Sequence, residues 1–309
     1  MSYTSIVRAI SNKLLSLTVG QLIRRTTKYN HTGEIALCCI AKLENEYIRF
    51  YVEYYKNLNF DKIFIYDNND PDGERFEEVI GDYIQSQFVE VVDFRGKIAP
   101  QLEAYQDCYD RFNKLYDWIA FFDCDEFLTF VDKNDDIHSF LNQELFESYQ
   151  IVQFNWMIFG DNEMLDNDGR NVIERFPNPI MPYDFLTNEH SSPVNFHVKK
   201  VIRGGLYNIL WINAHNIQRS FYKVCNPSGE LTGLSSKQTI DYRKAYLRHY
   251  RTKSIGEWIK IKMRQGDVFY VGEKAKHNNS LETFYIYNKR TEEKERYAEK
   301  VISLKGVRK

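Results

Sequence analysis

The first half of the chain alternates short apolar runs with segments whose apolar residues recur at helical spacing. Residues 35–41 are continuously apolar, which is typical of a strand buried on both faces. The spacing of Ile48, Val52 and Tyr55 predicts a helix from about Asn45 to Leu58. The alternation continues with predicted strands at residues 62–67, 88–94 and 118–122 and predicted helices at 76–83 and 102–116. This pattern predicts a Rossmann-like α/β fold, with a mainly parallel sheet and helices on both faces.

After Phe130 the alternation stops, and a smaller antiparallel and helical portion is predicted. Its expected elements are a strand at 151–159, a loop containing Pro177, Pro179, Pro182 and Pro193, antiparallel strands at 194–201 and 206–214, and helices at 254–264 and 291–309. We therefore divide the chain into an N-terminal amphipathic segment (1–32), a main domain (33–270) and a charged helical tail (271–309). The N-terminal segment is expected to pack on the protein, with loose attachment to an anionic membrane surface as the alternative.

Composition narrows the functional classes. The 309 residues carry a formal net charge of -2, which argues against binding of nucleic-acid backbones. No apolar run approaches the ~18 residues of a membrane span, and the N-terminus lacks the pattern of a secretory signal. The five cysteines include no CxxC pair, which indicates a reducing compartment. These features predict a cytoplasmic protein.

An acidic cluster, Asp123-Cys124-Asp125, directly follows the fourth predicted strand. Ligands of parallel α/β sheets bind beyond the carboxyl ends of the strands, where this cluster is expected to lie. Two carboxylates on a short turn suit a hard divalent cation that also binds diphosphate oxygens. The sequence therefore predicts a Mn²⁺ or Mg²⁺ site that holds a departing diphosphate.

Three other classes of enzyme built on parallel sheets have signatures that can be compared with this sequence. A haloacid-dehalogenase-type phosphatase would use Asp123 as its nucleophile, but its signature expects Thr or Val where this chain has Phe127. No Gly-x-Gly-x-x-Gly follows the first strand, which counts against a dinucleotide oxidoreductase, and the Gly-Lys-Ser/Thr of a P-loop kinase is missing. The phosphatase stays as a minor alternative.

Further polar residues follow the predicted strands. Lys42 and Glu44 come after the first strand, and Asp67 ends the second, where it could bind a ribose or base or merely start a turn. The segment 248–254 combines His249, a possible third metal ligand, with Lys253, a possible diphosphate contact. His215 is the other candidate for the third ligand, although a structural role was preferred for it.

Four blocks of sequence resemble glycosyltransferase family 92 and family 2-like enzymes. They are residues 41–46 followed by a Tyr-rich helix, residues 65–69, residues 118–128 and residues 249–254, and the likeness spans roughly residues 33–270. The resemblance implies a GT-A fold, with Asp123 and Asp125 at the metal and phosphate, Asp67 at the nucleotide, and His249 with Lys253 at the diphosphate. One departure concerns the first block, which commonly reads Lys-Asn-Glu and here reads Lys42-Leu43-Glu44.

The resemblance further implies an inverting hexosyltransferase that takes a UDP-sugar donor and needs Mn²⁺ or Mg²⁺. The acceptor would be a hydroxyl of a glycan or glycolipid, in surface polysaccharide biosynthesis by a cytoplasmic enzyme, with a position peripheral to the inner membrane as an alternative. Inversion needs a base opposite the diphosphate. Asp161 and Glu163, which follow the predicted strand at 151–159, are the predicted candidates for this base, and Glu174 is a further candidate. A non-catalytic nucleotide- or carbohydrate-binding protein on the same fold is the alternative from another class.

Overall fold

A computed structural model describes residues 32–179, 194–218, 221–235, 237–265, 271–285 and 287–288. Several predictions fall outside these residues and stay predictions. They concern residues 1–31 of the amphipathic segment, Pro182 and Pro193 of the predicted loop, and the helix predicted at 291–309.

The predicted alternation of strands and helices is confirmed in the first half of the chain. Its elements are β1 (Ile35–Ala41), α1 (Asn45–Asn57), β2 (Lys62–Asp67), α2 (Glu77–Gln85), β3 (Val89–Asp93), α3 (Gln101–Phe112) and β4 (Trp118–Phe121). The four strands pair in the order β3-β2-β1-β4, and every pair is parallel. Their carboxyl ends therefore meet at one edge of the sheet.

The sheet is buried on both faces, as the apolar runs predicted. Alternate residues of β1 enter different cores: Leu37 and Cys39 pack with α1, whereas Ala36 and Cys38 pack with α3. Successive side chains of a strand point to opposite faces. When both faces are covered, every side chain of the strand is buried, and apolar residues are favoured at every position. The α/β architecture with helices on both faces is confirmed.

The second half continues the same sheet with mixed pairing. Its strands are β5 (Glu126–Phe130), β6 (Ile151–Ile158), β7 (Val198–Arg203), β8 (Trp211–Asn213), β9 (Asn216–Ile217), β10 (Val224–Cys225), β11 (Leu231–Thr232) and β12 (Ala245–His249). β7 is antiparallel to both β4 and β6, while β12 pairs antiparallel with β5 and parallel with β6. The sheet is thus parallel on one side of β4 and mixed on the other.

Two of the predicted antiparallel strands had wrong bounds. A 3₁₀ turn at Val194–Phe196 precedes β7, and only Trp211–Asn213 of the predicted strand at 206–214 is extended. β8 pairs with β9 in a separate two-stranded hairpin, in which Ala214 and His215 form the turn. Short hairpin strands carry too few residues to show a clear alternation, so their ends are poorly marked in sequence.

The helical elements of the second half are short. They are α4 (Ile137–Leu141), a 3₁₀ turn (Glu144–Phe146), α5 (Val172–Arg175), α6 (Ile255–Glu257), a π-helical turn (Trp258–Lys262), α7 (Met263–Gln265) and α8 (Glu273–Asn278). Ser254 caps α6 in a capping box with Glu257, which confirms the predicted helix start. Among the described residues, no helix has the length and apolar character needed to cross a membrane.

Candidate active site

A cavity of about 490 Å³ lies at the edge of the sheet where β1 and β4 end. Asp123, Cys124 and Asp125 line it from the turn between β4 and β5. Trp156 of β6 and His249, the last residue of β12, line it from the mixed part of the sheet. The parallel pairing of β12 with β6 and of β1 with β4 therefore brings the predicted acidic cluster and the predicted histidine to one site.

Asp123 is held by three side chains. Its Oδ1 accepts hydrogen bonds from Gln101 Nε2 at 2.9 Å and from the Tyr105 hydroxyl at 2.5 Å. Its Oδ2 lies 2.7 Å from the ammonium group of Lys199, which is completely buried. About a quarter (26%) of the Asp123 side chain stays exposed, so the carboxylate is fixed in orientation but still faces the cavity.

Asp125 is more deeply buried and lies between two basic groups. Its Oδ2 is 2.9 Å from Lys262 Nζ, and its Oδ1 is 3.5 Å from His249 Nε2. Burial alone would raise the pKa of Asp125, but Lys262 and His249 outweigh it and hold that pKa well below its usual value. Asp125 is therefore ionised at neutral pH.

His249 is buried beside Asp125, with its ring 4.1 Å from that of Trp156. Burial lowers the pKa of His249 and the nearby Asp125 only partly offsets this effect, so the imidazole is neutral at neutral pH. A neutral imidazole beside an ionised carboxylate is the form in which both bind metals. Both side chains are thus in the protonation state that a metal ligand requires.

The described residues contain no group of three His, Cys, Asp or Glu side chains arranged to enclose a metal ion. Mg²⁺ sites commonly use only one or two protein carboxylates and complete the shell with water and substrate phosphates. Asp125 and His249 at the cavity wall, with Asp123 two residues away in the same turn, fit such an incomplete site. His215, the other candidate for the third ligand, lines a different part of the cavity wall, on the β8–β9 turn.

Glu44 is the one residue of the predicted Lys42–Glu44 pair that reaches the cavity. Lys253 lies behind it, buried, with its Nζ 3.2 Å from Glu44 Oε2 and 3.4 Å from the centre of the Tyr47 ring. Lys42 points away to the exposed Asp70 at 2.8 Å. The structure thus places Lys253 as the counterion of Glu44, one layer behind the cavity wall.

Asp67, predicted at the nucleotide, does not line the cavity. It is almost fully buried and pairs with Arg95 at 2.5 Å, while its Oδ1 accepts hydrogen bonds from the backbone and side-chain nitrogens of Asn69. These contacts stabilise the turn after β2, which is the structural role that the sequence also allowed for Asp67. Any contact of Asp67 with a nucleotide stays a prediction.

The candidate bases Asp161 and Glu163 are not brought to the cavity. Phe159 forms a β-bridge with Pro179 and the Gly160 nitrogen donates to the Asn178 carbonyl, so the chain leaves β6 toward residues 171–179. Glu174, the reserve candidate, is exposed on α5 and also lies outside the cavity wall. The chain thus leaves the edge of the sheet after β6, and a catalytic role for Asp161 or Glu163 stays a prediction.

Several residues in or beside the cavity wall were not predicted from the sequence. They are Gln101 of α3, His197 before β7, Lys199 of β7, Lys262 of the π-helical turn and Gln265 of α7, of which all but Lys199 line the wall. A signal was available for Lys199, because two adjacent lysines interrupt the apolar sequence of β7. Lysine is almost never fully buried without a partner, so such an interruption indicates a nearby carboxylate.

Comparisons with known proteins agree with the resemblance found in the sequence. The family described as glycosyltransferase family 92 matches residues 36–302. A family 92 protein of Oryza sativa subsp. japonica is 27% identical over 122 residues, which make up 39% of this chain and 20% of the rice protein. The matched segment therefore spans about a fifth of that relative.

Solved structures resemble only part of the chain. Staphylococcus aureus TarS is 12% identical and superposes over 45% of this chain and 23% of its own, with a TM-score of 0.27. A mannosyltransferase from Pyrobaculum calidifontis, solved with GDP-Man and Mn²⁺, is 7% identical over 48% of this chain and 45% of its own, with a TM-score of 0.30.

Proposed function

The chain belongs to glycosyltransferase family 92, and we propose that it transfers a hexose from a UDP-sugar to a hydroxyl of a glycan or glycolipid. The transfer inverts the anomeric centre and depends on Mn²⁺ or Mg²⁺. We place this reaction in surface polysaccharide biosynthesis, in the cytoplasm, with loose contact to the inner membrane as an open alternative. The donor class, the inversion and the metal follow from the resemblance of the sequence blocks to this family.

One observation carries the proposal. Asp123, Asp125 and His249 come from two distant segments and line one cavity at the carboxyl ends of parallel strands. This is where ligands of parallel α/β sheets bind. A cavity of about 490 Å³ falls in the usual range of small-molecule sites.

A divalent ion would be held by Asp125 and His249, with Asp123 reaching its water or phosphate ligands. When bound, such an ion neutralises the charge that develops on the departing diphosphate. The protein adds positive charge of its own at the same place. Arg251 lines the cavity, and Lys262, which also lines it, carries its ammonium group 2.9 Å from Asp125. Cations held in place before the reaction stabilise a leaving diphosphate without reorganisation.

The test is the release of UDP from UDP-glucose, UDP-galactose and UDP-N-acetylglucosamine, with water as the acceptor. We expect wild-type protein with Mn²⁺ to release UDP slowly from one of these donors, and Asp125→Asn to lose roughly 10²-fold or more of that rate. Asp125→Asn keeps the size of the side chain but removes its charge beside Lys262, so circular dichroism is recorded to establish that the variant is folded.

Asp132→Asn is the matched control, because Asp132 is exposed and lies outside the cavity. Equal rates for Asp125→Asn and Asp132→Asn would contradict the proposed site. A wild-type protein that binds UDP with Mn²⁺ but releases none from any donor would instead support the non-catalytic binding protein.

A further inference from the structure

The β8–β9 hairpin places His215 in the wall of the cavity. Ala214 and His215 form the turn of this hairpin, and both line the cavity together with Ile212. The ring of His215 lies 4.7 Å from that of Trp156, in an edge-to-face arrangement. Trp156 also contacts His249 at 4.1 Å. The indole of Trp156 therefore lies between His215 and His249, so the two histidines contact different sides of one aromatic ring in the cavity wall.

The hydrogen bonds of His215 define which ring nitrogen carries the proton. Nδ1 lies 3.1 Å from the carbonyl oxygen of Val198. A carbonyl oxygen can only accept, so Nδ1 must be the donor and the lone pair of the neutral ring must lie on Nε2. Within the part of the chain that the structure describes, the contact of Nδ1 is the hydrogen bond that the ring makes. The ring, which lines the cavity, therefore carries its proton acceptor at Nε2.

The backbone of His215 is fixed on both sides. Its nitrogen donates to Asn213 Oδ1 at 2.8 Å, and its carbonyl oxygen accepts a short hydrogen bond from the ammonium group of Lys200. Lys200 is itself buried and donates to Gln153 Oε1 at 2.7 Å. A catalytic group that is held in this way needs little reorganisation before it reacts.

The strand β7 connects this histidine with the acidic cluster. Val198 orients the imidazole of His215, Lys199 holds Asp123, and Lys200 holds the His215 carbonyl. Three consecutive residues of one strand therefore fix groups on both sides of the cavity. Such a shared support keeps the distance between the two groups constant.

The charged and titratable groups around His215 favour its neutral form. His197 lies 4.7 Å away, ring to ring, and Lys199 and Lys200 approach from β7. Burial and these basic neighbours hold the pKa of His215 well below its usual value. A weak base is sufficient here, because the acceptor hydroxyl becomes strongly acidic once its oxygen begins to bond to the anomeric carbon.

We propose that His215 is the catalytic base of the transfer, an assignment that rests on the proposed function. As the acceptor oxygen forms its bond to the anomeric carbon, the bond from that carbon to the diphosphate oxygen breaks. The electron pair leaves with the nucleoside diphosphate, and the hydroxyl proton moves to Nε2 of His215. The imidazolium then returns this proton to water.

The experiment compares His215→Asn with wild type in the UDP-release assay with Mn²⁺, in which water is the acceptor. The asparagine amide can replace Nδ1–H as donor to Val198 but has no counterpart of Nε2. We expect UDP release to fall by ~10²–10⁴-fold while the affinity for UDP with Mn²⁺, measured by calorimetry, is retained. We also expect added imidazole to restore part of the rate of His215→Ala, because a free base can enter the vacated space.

His138→Asn is the control for the substitution itself, since His138 lies outside the cavity and pairs with Asp61 at 3.0 Å. The assignment is overturned if His215→Asn keeps the wild-type rate, or if His197→Asn shows the loss and the imidazole rescue instead. A wild-type protein that neither binds UDP nor releases it overturns the proposed function and this assignment together. An active wild type with an equally active His215→Asn overturns the assignment alone.

Discussion

Lys199→Met is a direct test of how the acidic cluster is held. The ammonium group lies 2.7 Å from Asp123 Oδ2, 3.7 Å from Glu126 Oε2 and 3.1 Å from the Tyr105 hydroxyl, and no part of the side chain is exposed. Methionine fills a similar volume without a charge. The substitution therefore removes the counterion of two carboxylates and leaves the packing nearly unchanged.

The magnitude follows from the burial of these partners. Removing one member of a buried ion pair typically costs about 3–5 kcal/mol, because the remaining charge stays desolvated. Two features place Lys199→Met near the lower end of that range. Asp123 is 26% exposed and keeps its hydrogen bonds from Gln101 and Tyr105. Burial also raises the pKa of Glu126 well above its usual value, so this carboxyl group can become neutral by taking up a proton. We expect a loss of about 3 kcal/mol in the free energy of unfolding.

Urea denaturation followed by tryptophan fluorescence at pH 7 measures this loss. Burial lowers the pKa of Lys199, but Asp123 and Glu126 outweigh it and raise the pKa above its usual value. The stabilising charge is therefore fully present below that usual value and is lost only as the pH rises through the higher folded-state pKa, so pH 7 lies in the stable window.

Lys260→Met is the matched control for Lys199→Met. Lys260 pairs with Glu46 at 3.7 Å, and 63% of its side chain is exposed. Exposed pairs contribute about 0–1 kcal/mol. If Lys199→Met and Lys260→Met destabilise the protein equally, the view that Lys199 supports the acidic cluster is refuted.

Three further outcomes are expected. Asp161→Asn and Glu163→Gln should release UDP at the wild-type rate, since neither residue lines the cavity. A lower rate with unchanged UDP affinity would instead support a catalytic role for the substituted residue. Burial would raise the pKa of Glu257, but hydrogen bonds, chiefly from Arg175, lower it from 4.5 to about 2. The stability that wild type has over Glu257→Gln should therefore be present above pH 4.5 and disappear as the pH falls toward 2, as thermal unfolding across this range would show. Gly256→Ala should lower the free energy of unfolding by about 1–3 kcal/mol in urea, because the new Cβ would lie 2.7 Å from a backbone carbonyl oxygen, and an unchanged midpoint would contradict this packing.

The parallel half of the fold was predictable because its strands are buried on both faces. Continuous apolar runs such as β1 can occupy few other environments in a soluble domain. β5 and β12 were not predicted, because they lack such a continuous apolar run bounded by clear turns. They pair with each other across more than a hundred residues, as Leu128 with Leu247, and β12 mixes basic and apolar residues. Pairing at such a distance leaves no local pattern in the sequence.

The candidate site was predictable only where its chemistry is local. Asp123 and Asp125 share one turn after a buried strand, so their position follows from the strand itself. His249 was predicted as a possible metal ligand from the segment 248–254, and the structure explains its position in the cavity wall by the pairing of β12 with β6. The prediction for Asp161 extends this local rule past Gly160, where a bridge to residues 171–179 directs the chain away from the cavity wall.

The electrostatics of the cavity depend on contacts that no local pattern reveals. Each of three carboxylates in its wall has a lysine partner: Asp123 with the buried Lys199 at 2.7 Å, Asp125 with the partly exposed Lys262 at 2.9 Å and Glu44 with the buried Lys253 at 3.2 Å. Each of these lysines is more than seventy residues away in sequence from its partner. The acidic cluster therefore has a strongly negative local sequence, although its charge is neutralised in the folded protein. A negatively charged diphosphate can approach such a wall without repulsion. A cation bound at Asp125 would share this carboxylate with Lys262, whose ammonium group lies 2.9 Å from Oδ2.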